Sequence, residues 1–213
     1  MSIIRPFKGI RPRADLASAI AALPYDVYNS EEAREIVAAE PKSFLQIDRA
    51  ETLLPKGTNP YSEAVYKTAS ETLNRMIDEG SFLQDKEPCY YLYALTMNGR
   101  TQTGLVGCAS IDDYCNNVIL KHENTLEAKE QDRIRHIDAC SAQTGPIFLA
   151  YRADKKLGEI IKNVRLTPEV YDFTSDDGIR HEVWRIDKMS TIVDISKIFE
   201  AIPHLYICLL YTS

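Results

Sequence analysis

The chain has 213 residues, 45% of them hydrophobic and 26% charged, and a formal net charge of −6. That is the make-up of a globular protein with chain enough for one full core or two small ones. The acidic balance argues against broad binding to a nucleic-acid backbone, no apolar stretch reaches membrane-spanning length, and the N-terminus shows no signal-peptide pattern.

Five cysteines, at 89, 108, 115, 140 and 208, form no CxxC pair and follow no regular spacing. They point to reduced thiols in a cytoplasmic protein and argue against structural zinc.

Ile3–Phe7 reads as a short edge strand ended by Pro6. Lys8-Gly9-Ile10-Arg11-Pro12-Arg13 follows as a loop with three cations. It is either a solvated loop or an anion-contacting one, because Gly9 lets backbone approach and Arg11 can fork onto a phosphate or carboxylate. Ala14–Leu23 is a short Ala-rich helix. Leu23-Pro24-Tyr25-Asp26-Val27-Tyr28 is a compact turn in which Pro24 fixes the backbone ahead of Asp26. Asn29 or Ser30 caps the next helix, which has acids in its first turn.

Ser43–Ile47 alternates as a strand, with Asp48 and Arg49 at its C-terminal end, where sheets often present functional groups. Asn59 caps a helix over Pro60–Glu79 with an apolar stripe of Tyr61, Val65, Ala69, Leu73, Met76 and Ile77, and Gly80 stops it. Cys89–Met97 and Arg100–Ile111 form a hairpin around Asn98-Gly99, a type I′ signal.

Val118–Tyr151 is the stretch around which the chain is organised. It sets His122, Glu123, Lys129, Glu130, Asp132, Arg133 and His136 between two apolar runs. Asn124 and Glu127 have the spacing of a capping box, and the helix they open runs to about Cys140. At 100° per residue Leu126, Ile137 and Cys140 share one face, Ile134 lies at its edge, and Arg133 falls inside the stripe. Lys129, Asp132 and His136 form the adjoining flank. Two readings compete: an ion pair between Glu130 and Arg133 with heads in water, or a polar cleft wall in which Lys129 and Arg133 meet an anion. His122-Glu123 begins like a zincin, but Leu126 stands where the second histidine belongs. Cys140 reads as a small core residue, since a helix C-terminus does not activate a thiol.

Asp154–Asn163 is another helix. Pro168–Phe173 and Ile179–Ile186 form a second hairpin around Asp176-Asp177-Gly178. Ser190–Ala201 is the last helix, and a strand begins at His204. Cys208-Leu209-Leu210-Tyr211-Thr212-Ser213 matches one reading-frame translation of a sequencing-library transposon adapter. The sequence therefore predicts a native chain that continues past Ile207 in place of these six residues, and a fragment that is inactive by itself. The expected fold is α+β: a mixed, largely antiparallel sheet with flanking helices, incomplete at the C-terminus, in one domain over 1–207 with 1–85 and 86–207 as subdomains.

Ile4–Pro12, Pro24–Val27, Ser43–Leu45, His122–Thr125, Lys129–Arg133 and Gly145–Phe148, taken together and in order, resemble the domain-of-unknown-function family ten-fifteen, whose members are related to the ParB superfamily. In that family an Asp-Gly-His-His-Arg segment follows the strand matching Leu205–Ile207, and this chain departs from it at Cys208. Distant ParB-like proteins include free-serine kinases and nucleotide-binding DNA-segregation proteins, so the resemblance implies a phosphate-handling cleft.

The first expectation is then a nucleotide-dependent phosphotransferase acting on a small metabolite such as an amino acid, with Mg²⁺ and a nucleotide as cofactors. Arg11, Lys129, Arg133 and Thr125 would serve the phosphate, Asp26, Asp48 or Glu123 a metal ion or the acceptor hydroxyl, and His122 acid–base work. No Walker A or GxGxxG loop is present. The alternative is a non-catalytic nucleotide- or metabolite-binding regulatory module. A ParB-like DNA-binding protein comes third, disfavoured by the acidic balance and by the lack of a helix-turn-helix.

Overall fold

The structure is a computed structural model, and it describes residues 1–121 and 126–208. In chain order its elements begin with β1 (Ile4–Arg5), β2 (Ile10–Pro12), α1 (Ala17–Ile20), α2 (Ser30–Ala39), α3 (Leu45–Asp48) and α4 (Glu63–Asp78). Then come β3 (Phe82–Gln84), β4 (Tyr90–Met97), β5 (Arg100–Val106), β6 (Cys108–Ala109), α5 (Ile111–Cys115) and β7 (Ile119–Leu120). The chain continues through α6 (Glu127–Cys140), β8 (Leu149–Ala150), α7 (Lys155–Val164), β9 (Tyr171–Thr174), β10 (Arg180–Ile186), α8 (Met189–Ala201) and β11 (Leu205–Ile207). The class is α+β with mostly antiparallel small sheets, as expected. No helix among the described residues is long and apolar enough to cross a membrane.

The chain folds as two compact units. Among the described residues the first comprises 1–14, 84–121 and 148–208, and the second 15–83 and 126–147.

The first unit is built on a four-stranded antiparallel sheet in the order β5-β4-β10-β9. Asn98 and Gly99 take φ of 52° and 77°, the two left-handed positions that a type I′ turn needs, and they set the register Met97↔Arg100. The second expected hairpin, around Asp176–Gly178, pairs β9 with β10. Tyr90, Leu92, Ala94, Trp184 and Ile186 line one face of this sheet and pack with Leu157 of α7 and with Ile192, Ile195 and Phe199 of α8. Each of the leucine, isoleucine and phenylalanine side chains among them contributes about 1.5–3 kcal/mol by leaving water. A smaller sheet, β7-β11-β8, joins the same core through Ile119 and Leu205, with β11 parallel to β7 and antiparallel to β8. Helix α5 connects β6 to β7.

The second unit is helical. Asn29 closes a capping box with Glu32 and starts α2. Helix α4 begins at Glu63, later than Pro60, because Asn59 bonds the Tyr61 amide in a turn of its own. Tyr61 is exposed, whereas Val65, Ala69, Leu73 and Met76 are buried with Ile20, Ile47 and Phe82.

Ser43–Ile47 is no strand, since Leu45–Asp48 is a helical turn. Leu45, Gln46 and Ile47 are all buried. Gln46 tolerates burial because its amide donates to Pro41 O and accepts from Arg75 Nη2, so the apparent alternation of polar and apolar residues carried no sheet signal. The expected helix Ala14–Leu23 is likewise shorter, its α-helical part ending at Ile20.

Candidate functional site

Helix α6 presents an unexpected face to the interior of the second unit. Leu126 and Ile134, assigned to its apolar stripe, are exposed at 64% and 42%, while His136 is 3% exposed and Cys140 is buried beside it. Asp132, His136 and Cys140 recur every four residues and define the inward face. His136 is buried and Asp132 half-buried, and each finds a partner. Asp132 Oδ1 accepts from Tyr66 Oη of α4 at 2.8 Å, and Asp132 Oδ2 accepts from Arg133 Nε and Nη2 at 3.1 and 2.8 Å. Of the two readings weighed for Arg133, the pair with Glu130 does not form: Arg133 pairs with Asp132, and Glu130 is exposed.

His136 Nε2 lies 3.4 Å from Asp48 Oδ1 and 3.8 Å from Cys140 Sγ. Burial alone would lower the imidazole pKa. Its hydrogen bonds to Asp48 and Cys140 outweigh that and raise it to about 9, so His136 is a cation at neutral pH. Thr144 Oγ1 donates to the same Asp48 oxygen at 2.8 Å.

The Tyr25 turn completes the group. The Arg133 guanidinium stacks over the Tyr25 ring at 4.1 Å from its centroid. Burial raises the Tyr25 hydroxyl pKa while Arg133 opposes it, and the charges of Asp26, Asp132 and Asp48 act on it as well. Tyr66 is pushed up to about 12 by burial and by its bond to Asp132. Arg49 holds the turn from behind, donating to Tyr25 O and Ser30 Oγ while its Nε faces Glu51 at 2.9 Å.

Of the residues singled out in the sequence, Arg133 stacks on Tyr25, Asp26 follows it in the chain, and the charge of Asp48 acts on its hydroxyl. Asp26 is exposed in the turn. Lys129 is half-buried one helical turn before Arg133, with no ion-pair partner among the described residues. His122, Glu123 and Thr125 lie outside the described residues, as does Asn124 of the expected capping box.

Arg11 belongs to the first unit. There its Nε and Nη2 bond Asp85 at 2.8 and 3.0 Å and its Nη1 bonds Tyr171 Oη at 3.2 Å, so the group around Tyr25 is assembled without it. Among the described residues no group of three or more His, Cys, Asp or Glu side chains could hold a metal ion.

Tyr25, Asp132, His136 and Thr144 were not singled out as site residues from the sequence. The four-residue spacing of Asp132, His136 and Cys140 was the available signal for the helix face. Nothing local announced Thr144.

No curated protein and no solved structure matches the chain. A family model described as "Protein of unknown function (DUF1015)" matches residues 4–208. The chain belongs to that family, the one its Ile4–Pro12, Pro24–Val27 and Lys129–Arg133 segments resemble.

Proposed function

We propose that the protein is a nucleotide-dependent phosphotransferase acting on a small hydroxylated metabolite such as an amino acid, with its chemistry at the Tyr25–Asp26–Asp48–Arg133 group. The observation that carries this reading is an oriented guanidinium stacked on Tyr25, the residue that precedes the exposed carboxylate of Asp26. Asp132 takes two of the five Arg133 N–H groups and Tyr25 takes one face of its plane, leaving three donors fixed in direction for phosphoryl oxygens. Asp48 is committed to His136 and Thr144, so Asp26 is the carboxylate left to take the acceptor's hydroxyl proton or to bind Mg²⁺. Mg²⁺ that arrives with a nucleotide needs only one or two protein carboxylates, which suits a lone Asp26 better than a closed protein cage. Lys129, one turn away, supplies a second cation for the phosphates.

The alternative, a non-catalytic binding module for a nucleotide or metabolite, uses the same cations. It draws support from Arg133 being already matched by Asp132. We also place the protein in the cytoplasm, because its five cysteines are all free thiols.

The test is to incubate the protein with ATP, Mg²⁺ and serine, threonine or homoserine while following nucleotide turnover. Acceptor-dependent turnover that falls at least about 100-fold in Asp26→Asn, with nucleotide affinity kept, supports phosphotransfer. Binding without turnover supports the module. No binding, or a salt-dependent shift of DNA in its place, overturns both.

A further inference from the structure

Polar groups of the first unit form a hydrogen-bonded line at the end of the β9–β10 hairpin. His181 is directly paired with Phe173 and with Leu95, so the three share one face of the sheet. His181 Nδ1 lies 2.6 Å from Tyr93 Oη of β4, and its Nε2 lies 2.9 Å from Ser175 Oγ. Ser175 Oγ in turn lies 2.5 Å from Asp177 Oδ1 and 3.1 Å from Ile179 O. The Phe173 ring stacks on the imidazole, centroids 4.9 Å apart and planes 10° apart.

The direction of each bond in this line is fixed from one end. The Asp177 carboxylate and Ile179 O can only accept, so the Ser175 hydroxyl donates to them. Ser175 has a single proton to give and therefore accepts from His181 Nε2–H. A neutral imidazole then has a bare Nδ1, which accepts from Tyr93 O–H. A second proton on the ring makes both nitrogens donors. Tyr93 must then turn its hydroxyl round, and among the described residues that hydroxyl has no second partner.

We infer that Tyr93, His181, Ser175 and Asp177 form a pH-sensitive latch on the β9–β10 hairpin, closed while the imidazole is neutral and released when it gains a proton. Strand β9 is where release shows. It is the outer strand in the order β5-β4-β10-β9 and, among the described residues, pairs with β10 alone. Its side-chain tie to β10 beside the turn, Asp172 with Arg180, is solvent-exposed and therefore weak.

The groups around the imidazole set the direction of the switch. Burial disfavours its charged form, and the Asp177 carboxylate opposes burial without overcoming it, so the His181 pKa lies below its ordinary 6.5. Asp177 is itself held low by the Ser175 hydroxyl and stays ionised. Asp176 is exposed in the same turn, and Tyr93 is the titratable group from β4. Arg180 and Glu182, the strand neighbours of His181, point to the opposite face, where Arg180 meets Glu182 and Asp172. The folded protein thus takes up this proton less readily than the unfolded chain. The stabilisation is complete above about pH 6.5 and is lost as pH falls through the folded pKa. The latch lies wholly in the first unit and owes nothing to the phosphotransferase reading.

The experiment follows the His181 ring nitrogens and the exchange protection of the Ser175 and Gly178 amides by NMR, from about pH 7.5 to about 5. Those amides donate to Ile179 O and Ser175 O, each at 2.9 Å. At the upper pH the ring is expected as the Nε2–H tautomer. Its midpoint should lie below 6.5, and protection should fall about fivefold as it titrates, the worth of one net hydrogen bond.

His181→Gln should remove the pH dependence. Tyr93→Phe should raise the midpoint, because the neutral ring loses its donor, and it serves should the first variant not fold. An Nδ1–H tautomer, a midpoint at or above 6.5, protection that ignores pH, or an unchanged midpoint in Tyr93→Phe overturns the inference.

Discussion

Buried His136 and half-buried Asp48 form a pair in the second unit, 3.4 Å apart, in which a histidine cation from one helix meets a carboxylate from another. The imidazole pKa rises from 6.5 to about 9 on folding. The folded state therefore holds a proton that the unfolded chain releases. The stabilisation is complete below about pH 6.5 and is lost as pH rises through about 9, with an upper bound of about 3 kcal/mol. Urea melts between pH 6 and 10 should show this decline, and His136→Gln should flatten it.

Removing the other half of the pair should cost about what the pair is worth. Asp48→Ala takes away the main group that holds the proton on His136, so burial leaves the imidazole neutral near pH 7, and Thr144 loses its acceptor. The expected loss is about 3 kcal/mol near neutral pH and smaller at pH 9, where the intact pair is itself fading. Melts of this variant at the two pH values separate the charge effect from plain loss of packing.

Acid should act on the first unit through Asp85. Burial alone would raise its pKa, but bonds from Arg11, Tyr91 and Arg185 outweigh that and hold it at about 2, against 3.8 when unfolded. That contribution, about 2 kcal/mol, is present above about pH 4 and disappears as pH falls toward 2. Asp85→Asn should remove this segment of the acid-unfolding profile and destabilise the protein at pH 7, because Arg11 and Arg185 lose their common counter-charge.

Gly9 is constrained by space. A Cβ there would lie 2.4 Å from Tyr91 Oη, so Gly9→Ala should cost about 1–3 kcal/mol. Tyr91→Phe removes the nearest atom, although the ring carbon behind it would still stand 2.9 Å away. The double variant should recover part of the loss, and a thermodynamic cycle from denaturant melts measures the coupling.

The sequence carried the parts of the fold whose signals are local. Asn98-Gly99 named its turn, Asp154 capped α7 as placed, and the last helix and β11 lie within a residue of expectation. The failures share a cause. Ser43–Ile47 was misread because Gln46 is buried with its amide bonded to Pro41 and to Arg75, and α6 was turned the wrong way because Asp132 and His136 face inward onto Tyr66 and Asp48. A polar residue with a remote partner cannot be told from a solvated one by periodicity. The same limit applied to the site. Asp26, Asp48 and Arg133 were legible as reactive types in promising places, but Tyr25, on which Arg133 stacks, read only as part of a turn.

The described chain passes between its two units four times, and this orders its synthesis. The second unit lacks α6 until residue 140 has left the ribosome, so α4 must wait for a helix encoded about fifty residues beyond it. The first unit waits longer, because β11 is the strand that joins β7 to β8. Such late-arriving partners make for slow, non-local folding, and the nascent chain must keep Ile119 and Leu149 from mispairing until translation delivers Leu205–Ile207.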